Sequence, residues 1–269
     1  MPTADKIEIG NKFVGLFIGP SGSGKTPSAC SFLDAHPDKD VKVFDFDGRL
    51  DSILNTPWID RSRIDFNYYP PVKDPKTQGL MNDKIENDIL AFKIMDTNRF
   101  NTVILDGLPM SAFILMQDIL PTTHNGQNNN GIMKGRKIGS QNVAGPEDYF
   151  YEFNGVTKIV TMIKALPIQN IIITCHVEDI LDKEDPDNPM SRTVKVGERL
   201  ALRNKLSVTI PGLFSHIFRF DRKWLVDKNQ ITVTFWSDIC RSVYPNLPEK
   251  LDITGKSFYK ELMSFNKKF

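Results

Sequence analysis

Residues 19 to 26 carry the clearest chemical signal in the sequence, Gly-Pro-Ser-Gly-Ser-Gly-Lys-Thr, which matches G-x-x-x-x-G-K-[ST] without a mismatch. Its glycines let backbone N–H groups approach a phosphate chain, and the start of a following helix favours the same anion. We expect Lys25 to reach the β- and γ-phosphates and the Thr26 hydroxyl to ligate magnesium. The predicted ATP-binding residues are Gly19, Pro20, Ser21, Gly22, Ser23, Gly24, Lys25 and Thr26.

A carboxylate ends the apolar run Thr-Val-Ile-Leu-Asp at Asp106, about 80 residues after the glycine-rich loop. A hydrophobic strand that ends in aspartate is the Walker B pattern, in which the carboxylate helps to hold magnesium. The alternative is an ordinary aspartate that caps the next helix. The position after a phosphate-binding loop favours the magnesium role.

Two other apolar runs also end in polar residues. The run VKVFDFD contains Asp45 and Asp47, and their spacing in a strand would place both carboxylates on one face. One of them, Asp47, is a candidate for orienting the attacking water, and the alternative is an acid that supports the turn before the next glycine. The run IIITC leads to His176, which is a candidate sensor of the γ-phosphate or simply a histidine satisfied at a strand exit.

The elements that must position these residues alternate between short apolar strands and amphipathic helices. This alternation predicts an α/β fold with a mostly parallel central sheet flanked by helices, in which ligands bind at the carboxyl ends of the strands. The predicted strands are 13–18, 41–46, 102–105 and 171–174, and the predicted helices are 25–35, 83–98 and 147–165.

The C-terminal third has a different pattern. Residues 216–224 and 230–236 alternate with period two around a short turn, which predicts an antiparallel hairpin at the sheet edge. Residues 255–269 predict a short amphipathic helix. Two long segments, 121–145 and 177–199, lack a clear period, so we expect them to be functional or disordered loops.

Composition narrows the remaining possibilities. The chain has 269 residues with a net charge of +1, which suits one domain, with a core over about 10–240 and a terminal helix over about 255–269. Three widely spaced cysteines lack metal-ligand spacing and favour a reduced, intracellular protein. No apolar run is long enough to span a bilayer, so no membrane partner is expected. The balanced charge restricts any DNA binding to a local patch or an assembled track.

These motifs, in this order, resemble the core of RecA-type ATPases, over roughly residues 10–225. In that family a glutamate follows the strand after the phosphate-binding helix, and Asp47 occupies its place with a side chain one methylene shorter. The Walker B aspartate corresponds to Asp106. The glutamine that couples the γ-phosphate to a DNA-binding loop corresponds to His176, a departure that keeps a hydrogen-bonding group. The resemblance implies Lys25, Asp47, Asp106 and His176 as catalytic residues.

The small size is similar to that of the phage-encoded RecA-like ATPases of single-strand annealing and recombination, and the run 210–214, Ile-Pro-Gly-Leu-Phe, looks like an element of that subgroup. The resemblance implies ATP and Mg²⁺ as cofactors and single-stranded DNA as a partner. It also implies a ring or filament of identical subunits, a possible single-strand binding protein as partner, and the host cytoplasm as location.

Two further sets of residues follow from this resemblance. The family binds DNA through loops whose counterparts are 121–145 and 177–199, and the first contains Lys134, Arg136 and Lys137. The second begins with acidic residues, which count against it as a simple DNA loop. The family also completes its site with a cation from a neighbouring subunit, for which Arg219 and Arg222, with the adjacent Lys223, are candidates.

The leading hypothesis is a DNA-stimulated ATPase of recombination, annealing or replication. A small-molecule or nucleotide kinase is an alternative, in which 177–199 would be an arginine-bearing lid. A nucleotide-gated adaptor that does not bind DNA is another.

Overall fold

The computed structural model describes residues 12–70, 81–94, 97–124, 136–138, 141–184, 191–225 and 228–265. Its centre is a sheet in which six neighbouring strands run parallel and two more extend one edge through antiparallel pairing. The predicted α/β class, the mostly parallel sheet and the added hairpin are confirmed. In spatial order the strands are β12 (Lys250–Asp252), β11 (Lys228–Thr234), β10 (His216–Leu225), β1 (Phe13–Ile18), β7 (Asn170–Cys175), β4 (Phe100–Asp106), β2 (Asp40–Asp45) and β3 (Ile64–Tyr68).

Helices cover both faces of this sheet because its strands are apolar on both faces. Strand β1 sends Leu16 and Ile18 into one core and Phe13 and Phe17 into the other. The helices are α1 (Lys25–Cys30), α2 (Asp51–Leu54), α3 (Met81–Ile94), α4 (Leu108–His124), α5 (Pro146–Lys164), α6 (Asn204–Thr209) and α7 (Phe258–Phe265). The first core packs against α3, α4 and α5, and the second against α1 and α7.

Strand register brings the ends of the central strands to one edge. Ile18 at the end of β1 pairs with Cys175 at the end of β7, and Asp106 at the end of β4 pairs with Asp45 at the end of β2. Parallel strands all present their carboxyl ends at the same edge, so the residues that follow them meet there. This edge holds the glycine-rich loop.

Within residues 177–199, which were expected to form a loose loop, the described part instead forms an antiparallel pair of strands, β8 (Val177–Lys183) and β9 (Thr193–Leu200), which we call the β8–β9 hairpin. The expectation was wrong because the acidic first half and the basic second half are complementary across the two strands. Glu178 pairs with Arg199 at 2.6 Å, and Asp179 pairs with Lys195 at 2.8 Å. Opposite charges on facing strands support this pairing.

Residues 121–145 are also more structured than expected where the structure describes them. Helix α4 continues through Pro121 to His124, and the short strands β5 (Arg136–Ile138) and β6 (Gln141–Val143) pair antiparallel. Lys134 and residues 266–269 of the predicted terminal helix lie outside the described residues. Among the helices that the structure describes, none is both long and apolar enough to traverse a lipid bilayer.

Candidate nucleotide-binding site

The glycine-rich loop connects the end of β1 directly to the start of α1. Gly19 has a φ of +147°, and an added Cβ would collide with the carbonyl oxygen of Phe220 on β10, so this position requires glycine. Gly24 then serves as the N-cap of α1. The first N–H groups of a helix have no partner within it, so those of Lys25 and Thr26 are available to an anion.

The ammonium group of Lys25 is buried under this loop. Its Nζ donates to the carbonyl oxygens of Gly19 and Pro20, at 2.9 and 2.8 Å. Burial lowers the pKa of Lys25 to about 8, although the nearby carboxylates of Asp106 and Asp47 act in the opposite direction. Two of the acceptors that hold this buried cation are neutral carbonyl groups, which it can exchange for phosphate oxygens.

Asp106 connects the loop to the neighbouring strands. Its carboxylate accepts hydrogen bonds from Thr26 Oγ1, at 2.9 and 3.1 Å, and from Thr174 Oγ1 at 2.6 Å. The Thr174 hydroxyl in turn accepts from the backbone N–H of Gly107 at 2.9 Å. Burial raises the pKa of Asp106, which makes the charged form of this carboxylate costly in the free protein even though the Lys25 ammonium nearby acts in the opposite direction.

The donor set suits magnesium. A hydroxyl and a carboxylate are hard oxygen ligands, and magnesium usually takes only one or two such protein groups together with substrate phosphates and water. Thr26 and Asp106 would hold it. Within the described part of the chain, no cluster of three or more His, Cys, Asp or Glu side chains could hold a metal ion.

His176 lies between Lys25 and Asp47. Its Nδ1 is 3.3 Å from Lys25 Nζ, and its Nε2 is 3.0 Å from Asp47 Oδ2. An ammonium group can only donate, so Nδ1 is the acceptor and Nε2 carries the proton toward the carboxylate. The imidazole therefore links the phosphate-binding lysine to the candidate water-orienting carboxylate.

The structure separates the roles of the two acids that follow the second apolar run. Strand β2 ends at Asp45, so the prediction that strand alternation places both carboxylates on one face was wrong. Asp45 accepts from the backbone N–H of Gly48 at 2.9 Å, and burial raises its pKa to about 6. Asp45 is thus the acid that supports the turn, while Asp47 lines the cleft.

The cleft around these residues has a volume of about 810 Å³ and is lined from distant parts of the chain. Sequence reasoning missed Thr174, which holds Asp106, and Arg49, which reaches the loop from the turn after β2. It also missed Trp58 and Lys256 on the walls. Only Arg49 had an available signal, because it follows Asp47 and a turn glycine.

The other predicted residues are distributed differently. Arg219 is bound within its own chain to Asp221, with a contact of 2.8 Å, and to Glu198. Arg222 lines the cleft of its own chain and lies over the Trp224 ring. Arg136 and Lys137 lie in β5, far along the chain from the glycine-rich loop, and their side chains are outside the described set.

A second concavity of about 630 Å³ lies between the first turns of α5 and the segment that follows β9. We call it the aromatic groove and define it by Tyr149, Phe150, Phe153, Arg199, Arg203 and Lys205. The Arg203 guanidinium lies 4.4 Å from the centre of the Tyr149 ring, and the Lys205 ammonium lies 4.5 Å from that of Phe153. Phe150 is 59% exposed and the adjacent Tyr149 is 43% exposed, so the groove presents aromatic surface to solvent.

One hydrogen bond links the aromatic groove to the cleft. The backbone N–H of Ala201, which lines the groove, donates to the carbonyl oxygen of His176 at 2.8 Å. The side chain of His176 contacts Lys25 and Asp47. A shift of the backbone at Ala201 would therefore act on His176, the residue that bridges Lys25 and Asp47.

Comparison with known proteins finds similarity at the level of solved structures. No protein-family model matches the sequence, and no curated protein is significantly similar to it. Solved structures with a related arrangement include a KaiC-like protein from the hyperthermophilic archaeon Pyrococcus horikoshii OT3, with 10% identity, a TM-score of 0.41, and coverage of 82% of this chain and 77% of its own.

Two further solved structures are similar at the same level. The RadB recombinase has 16% identity and a TM-score of 0.45, with coverage of 91% of this chain and 89% of its own. The flagellar accessory protein FlaH from Methanocaldococcus jannaschii has 11% identity and a TM-score of 0.44, with coverage of 90% and 84%. Each score lies below 0.5, so we base no conclusion about activity or partners on these likenesses.

Proposed function

We propose that this chain is a RecA-like ATPase that hydrolyses magnesium-ATP and acts on single-stranded DNA. The contact between Thr26 and Asp106 carries the ATPase part of the proposal. It joins the phosphate-binding loop to a strand-terminal carboxylate 80 residues away, at the sheet edge where nucleotides bind. Two side-chain contacts, from Lys25 to His176 and from His176 to Asp47, supply the groups needed for hydrolysis beside the phosphate-binding loop.

In the proposed reaction, Lys25 and the loop N–H groups bind the phosphates and orient the γ-phosphate for in-line attack. Water attacks the γ-phosphorus, the bond to the β–γ bridging oxygen breaks, and ADP leaves with that electron pair. Asp47 accepts the proton of the water, and His176 holds the carboxylate in position. Magnesium bound by Thr26 and Asp106 would neutralise the charge of the phosphates.

The aromatic groove supports the DNA part of the proposal. Single strands bind by stacking their bases on aromatic rings and guanidinium planes, with cations near the phosphates. Phe150 offers an exposed ring, and the same groove holds two cations, Arg203 over the Tyr149 ring and Lys205 over the Phe153 ring. Arg199 and Arg203 already pair with Glu178 and Glu152, so we expect stacking to dominate and the salt dependence to be shallow.

The ATPase part is tested by phosphate release from magnesium-ATP, with Lys25→Ala as the inactive reference. We expect turnover by the native chain, stimulated by oligothymidylate, and none above background by the variant. Chromatography of the products separates hydrolysis from transfer to a nucleotide acceptor. A chain that binds ATP without releasing phosphate is the adaptor, and the ATPase proposal then fails.

The DNA part is tested by fluorescence anisotropy of a labelled oligothymidylate with a matched pair of variants. Phe150→Ala should weaken binding by about 1–3 kcal/mol, the usual value of one stacked base. Phe113→Ala removes an aromatic ring of α4 that is exposed too, at 47%, but does not line the groove. This variant should bind the oligothymidylate normally. No binding at low salt would remove the DNA part, and equal loss in both variants would remove the groove as the site.

The structure gives the kinase alternative no support. In that hypothesis residues 177–199 were the candidate for an arginine-bearing lid over the phosphates. They form the β8–β9 hairpin, and of its described residues none lines the nucleotide cleft. Arg199 lies in the aromatic groove instead.

A role in phage recombination or annealing and assembly into a ring or filament stay parts of this proposal that come from the family resemblance. The same is true of a single-strand binding protein as partner and of a location in the host cytoplasm.

A further inference from the structure

Arg49 occupies a position that the backbone holds rigidly at the mouth of the cleft. Gly48 before it has a φ of +64°, and its N–H is bound by the Asp45 carboxylate at 2.9 Å. After it, the N–H and hydroxyl of Ser52 both donate to the carbonyl oxygen of Arg49, at 3.3 and 3.2 Å. Tyr68 packs so closely against Gly48 that a Cβ there would lie 2.9 Å from its ring. The turn therefore fixes the direction in which Arg49 leaves the chain.

The side chain of Arg49 reaches the phosphate-binding loop. Its Nη1 donates to the Ser21 hydroxyl at 2.6 Å. Ser21 is exposed at the rim of the loop, four residues before Lys25, whose ammonium is expected to bind the β- and γ-phosphates. Asp47, the candidate water-orienting group, is two residues before Arg49 and lines the same cleft. The guanidinium thus lies on the side where the γ-phosphate and the attacking water are expected.

Arg49 also differs from Arg219, one of the cations considered for the transition state. Arg219 is bound to two acids of its own chain. Among the residues that the structure describes, no carboxylate forms an ion pair with Arg49, and its contact is a neutral hydroxyl. A hydroxyl is readily exchanged for a phosphate oxygen, since the guanidinium gains a charge-assisted and often bidentate hydrogen bond.

We propose that Arg49 supplies, within its own subunit, the cation that stabilises the γ-phosphoryl group during hydrolysis. The inference rests on the proposed ATPase function and goes beyond it, because the family resemblance assigns this role to a neighbouring subunit. As water bonds to phosphorus and the bond to the bridging oxygen breaks, negative charge spreads over the transferring group. Arg49 exchanges the Ser21 hydroxyl for these oxygens.

The first test compares Arg49→Ala and Arg49→Lys with Arg61→Ala, an exposed arginine that does not line the cleft. Loss of an arginine finger costs about 10³-fold or more in kcat. We expect that fall for Arg49→Ala, with KM for magnesium-ATP changed by less than about threefold, and at most partial recovery in Arg49→Lys. Arg61→Ala should keep native kinetics. A kcat within about threefold of native in Arg49→Ala would overturn the proposal.

The second test separates action within a subunit from action between subunits. Lys25→Ala protein keeps Arg49 but lacks the phosphate-binding lysine, and it is mixed with Arg49→Ala protein in increasing ratio. If Arg49 acts on its own nucleotide, the mixture stays inactive at every ratio. Recovery of phosphate release on mixing would show that Arg49 acts on the neighbouring site and would overturn the proposal.

A binding measurement distinguishes failure of this inference from failure of the proposed function. ADP with aluminium fluoride mimics the transferring phosphoryl group. The ratio of the protein's affinity for this complex to its affinity for ADP alone should therefore fall strongly in Arg49→Ala, even if native turnover is slow. Equal preference in native and variant protein would sink the role of Arg49 alone. A native chain that binds neither ligand would sink both proposals.

Discussion

The Nε2 atom of His176 and the Oδ2 atom of Asp47 lie 3.0 Å apart, although 129 residues separate them in the sequence. His176 follows β7 and Asp47 follows β2, and β4 with its magnesium-binding candidate Asp106 lies between those two strands. The histidine thus spans one intervening strand to hold the carboxylate. This arrangement gives Asp47 a fixed orientation before any water is bound.

Asp47→Asn should spare nucleotide binding and stop hydrolysis. An amide cannot accept a proton from water, and general-base catalysis is typically worth about 10²–10⁴-fold. We therefore expect the single-turnover rate constant of phosphate release to fall by that factor, while the affinity for an ATP analogue changes by less than about threefold. Asp47→Glu provides the matched acid, one methylene longer, and should retain measurable turnover. Normal turnover of Asp47→Asn would assign the water to another group.

Lys25 should make nucleotide affinity depend on pH. Burial lowers its pKa in the free protein to about 8, and an adjacent phosphate chain would raise it again. At a pH between the free and the bound pKa of Lys25, the protein must take up a proton when it binds nucleotide. Nucleotide affinity should therefore fall by up to about tenfold per pH unit above pH ~8. Without nucleotide, Lys25 also makes folding depend on pH, but in the opposite sense. Because its pKa is lower in the folded state, the free energy of unfolding decreases as pH falls from about 10.5 to about 8.

Calorimetric titration with a non-hydrolysable ATP analogue from pH 7 to 9.5, in two buffers of different ionisation enthalpy, measures both the affinity and the proton uptake. Lys25→Arg stays charged throughout this range and is the control for other titrating groups. A flat affinity in the native protein would contradict the free-state pKa of Lys25.

Asp106→Asn should have different effects on the stability of the free protein and on its stabilisation by magnesium-ATP. Burial raises the pKa of Asp106, so the folded state loses stability from this group as pH rises through that pKa, and the charged form is a cost at neutral pH. A neutral amide removes this cost while its oxygen can still accept a hydrogen bond from Thr26 or Thr174. We expect the melting temperature of the free protein to be unchanged or higher, and the increase caused by magnesium-ATP to disappear.

Differential scanning fluorimetry with and without magnesium and an ATP analogue makes this comparison. Asp38→Asn changes an exposed aspartate and should melt like the native protein in both conditions. A full ligand-induced increase in Asp106→Asn would show that the metal is held elsewhere.

The sequence was sufficient for the features that depend on local pattern. Strand β1 has the predicted bounds, because six apolar residues run directly into a glycine-rich loop that cannot continue a strand. The end of β4 at Asp106 followed from the same reasoning. Local pattern failed at Asp45 and Asp47, because their roles depend on where β2 ends and on which acid the Gly48 turn binds.

Features that depend on distant pairing were not accessible in the same way. The β8–β9 hairpin has few of the apolar alternations that identify strands, and the opposite charges across it meet only after the strands have paired. Thr174 gave no signal, since its role is to donate to a carboxylate on the adjacent strand. The contact between Ala201 and His176 is a backbone hydrogen bond, which depends on geometry rather than on residue type.

That backbone contact leads to a last prediction, on communication between the aromatic groove and the nucleotide cleft. Ala201→Pro removes the N–H that donates to His176, whereas Ala201→Gly keeps it. If the groove segment acts on the cleft through this bond, the ratio of phosphate release with and without oligothymidylate should fall toward one in the proline variant only. Circular dichroism and nucleotide affinity establish that the proline variant is folded. Stimulation equal to native in a folded proline variant would show that the two sites communicate by another route.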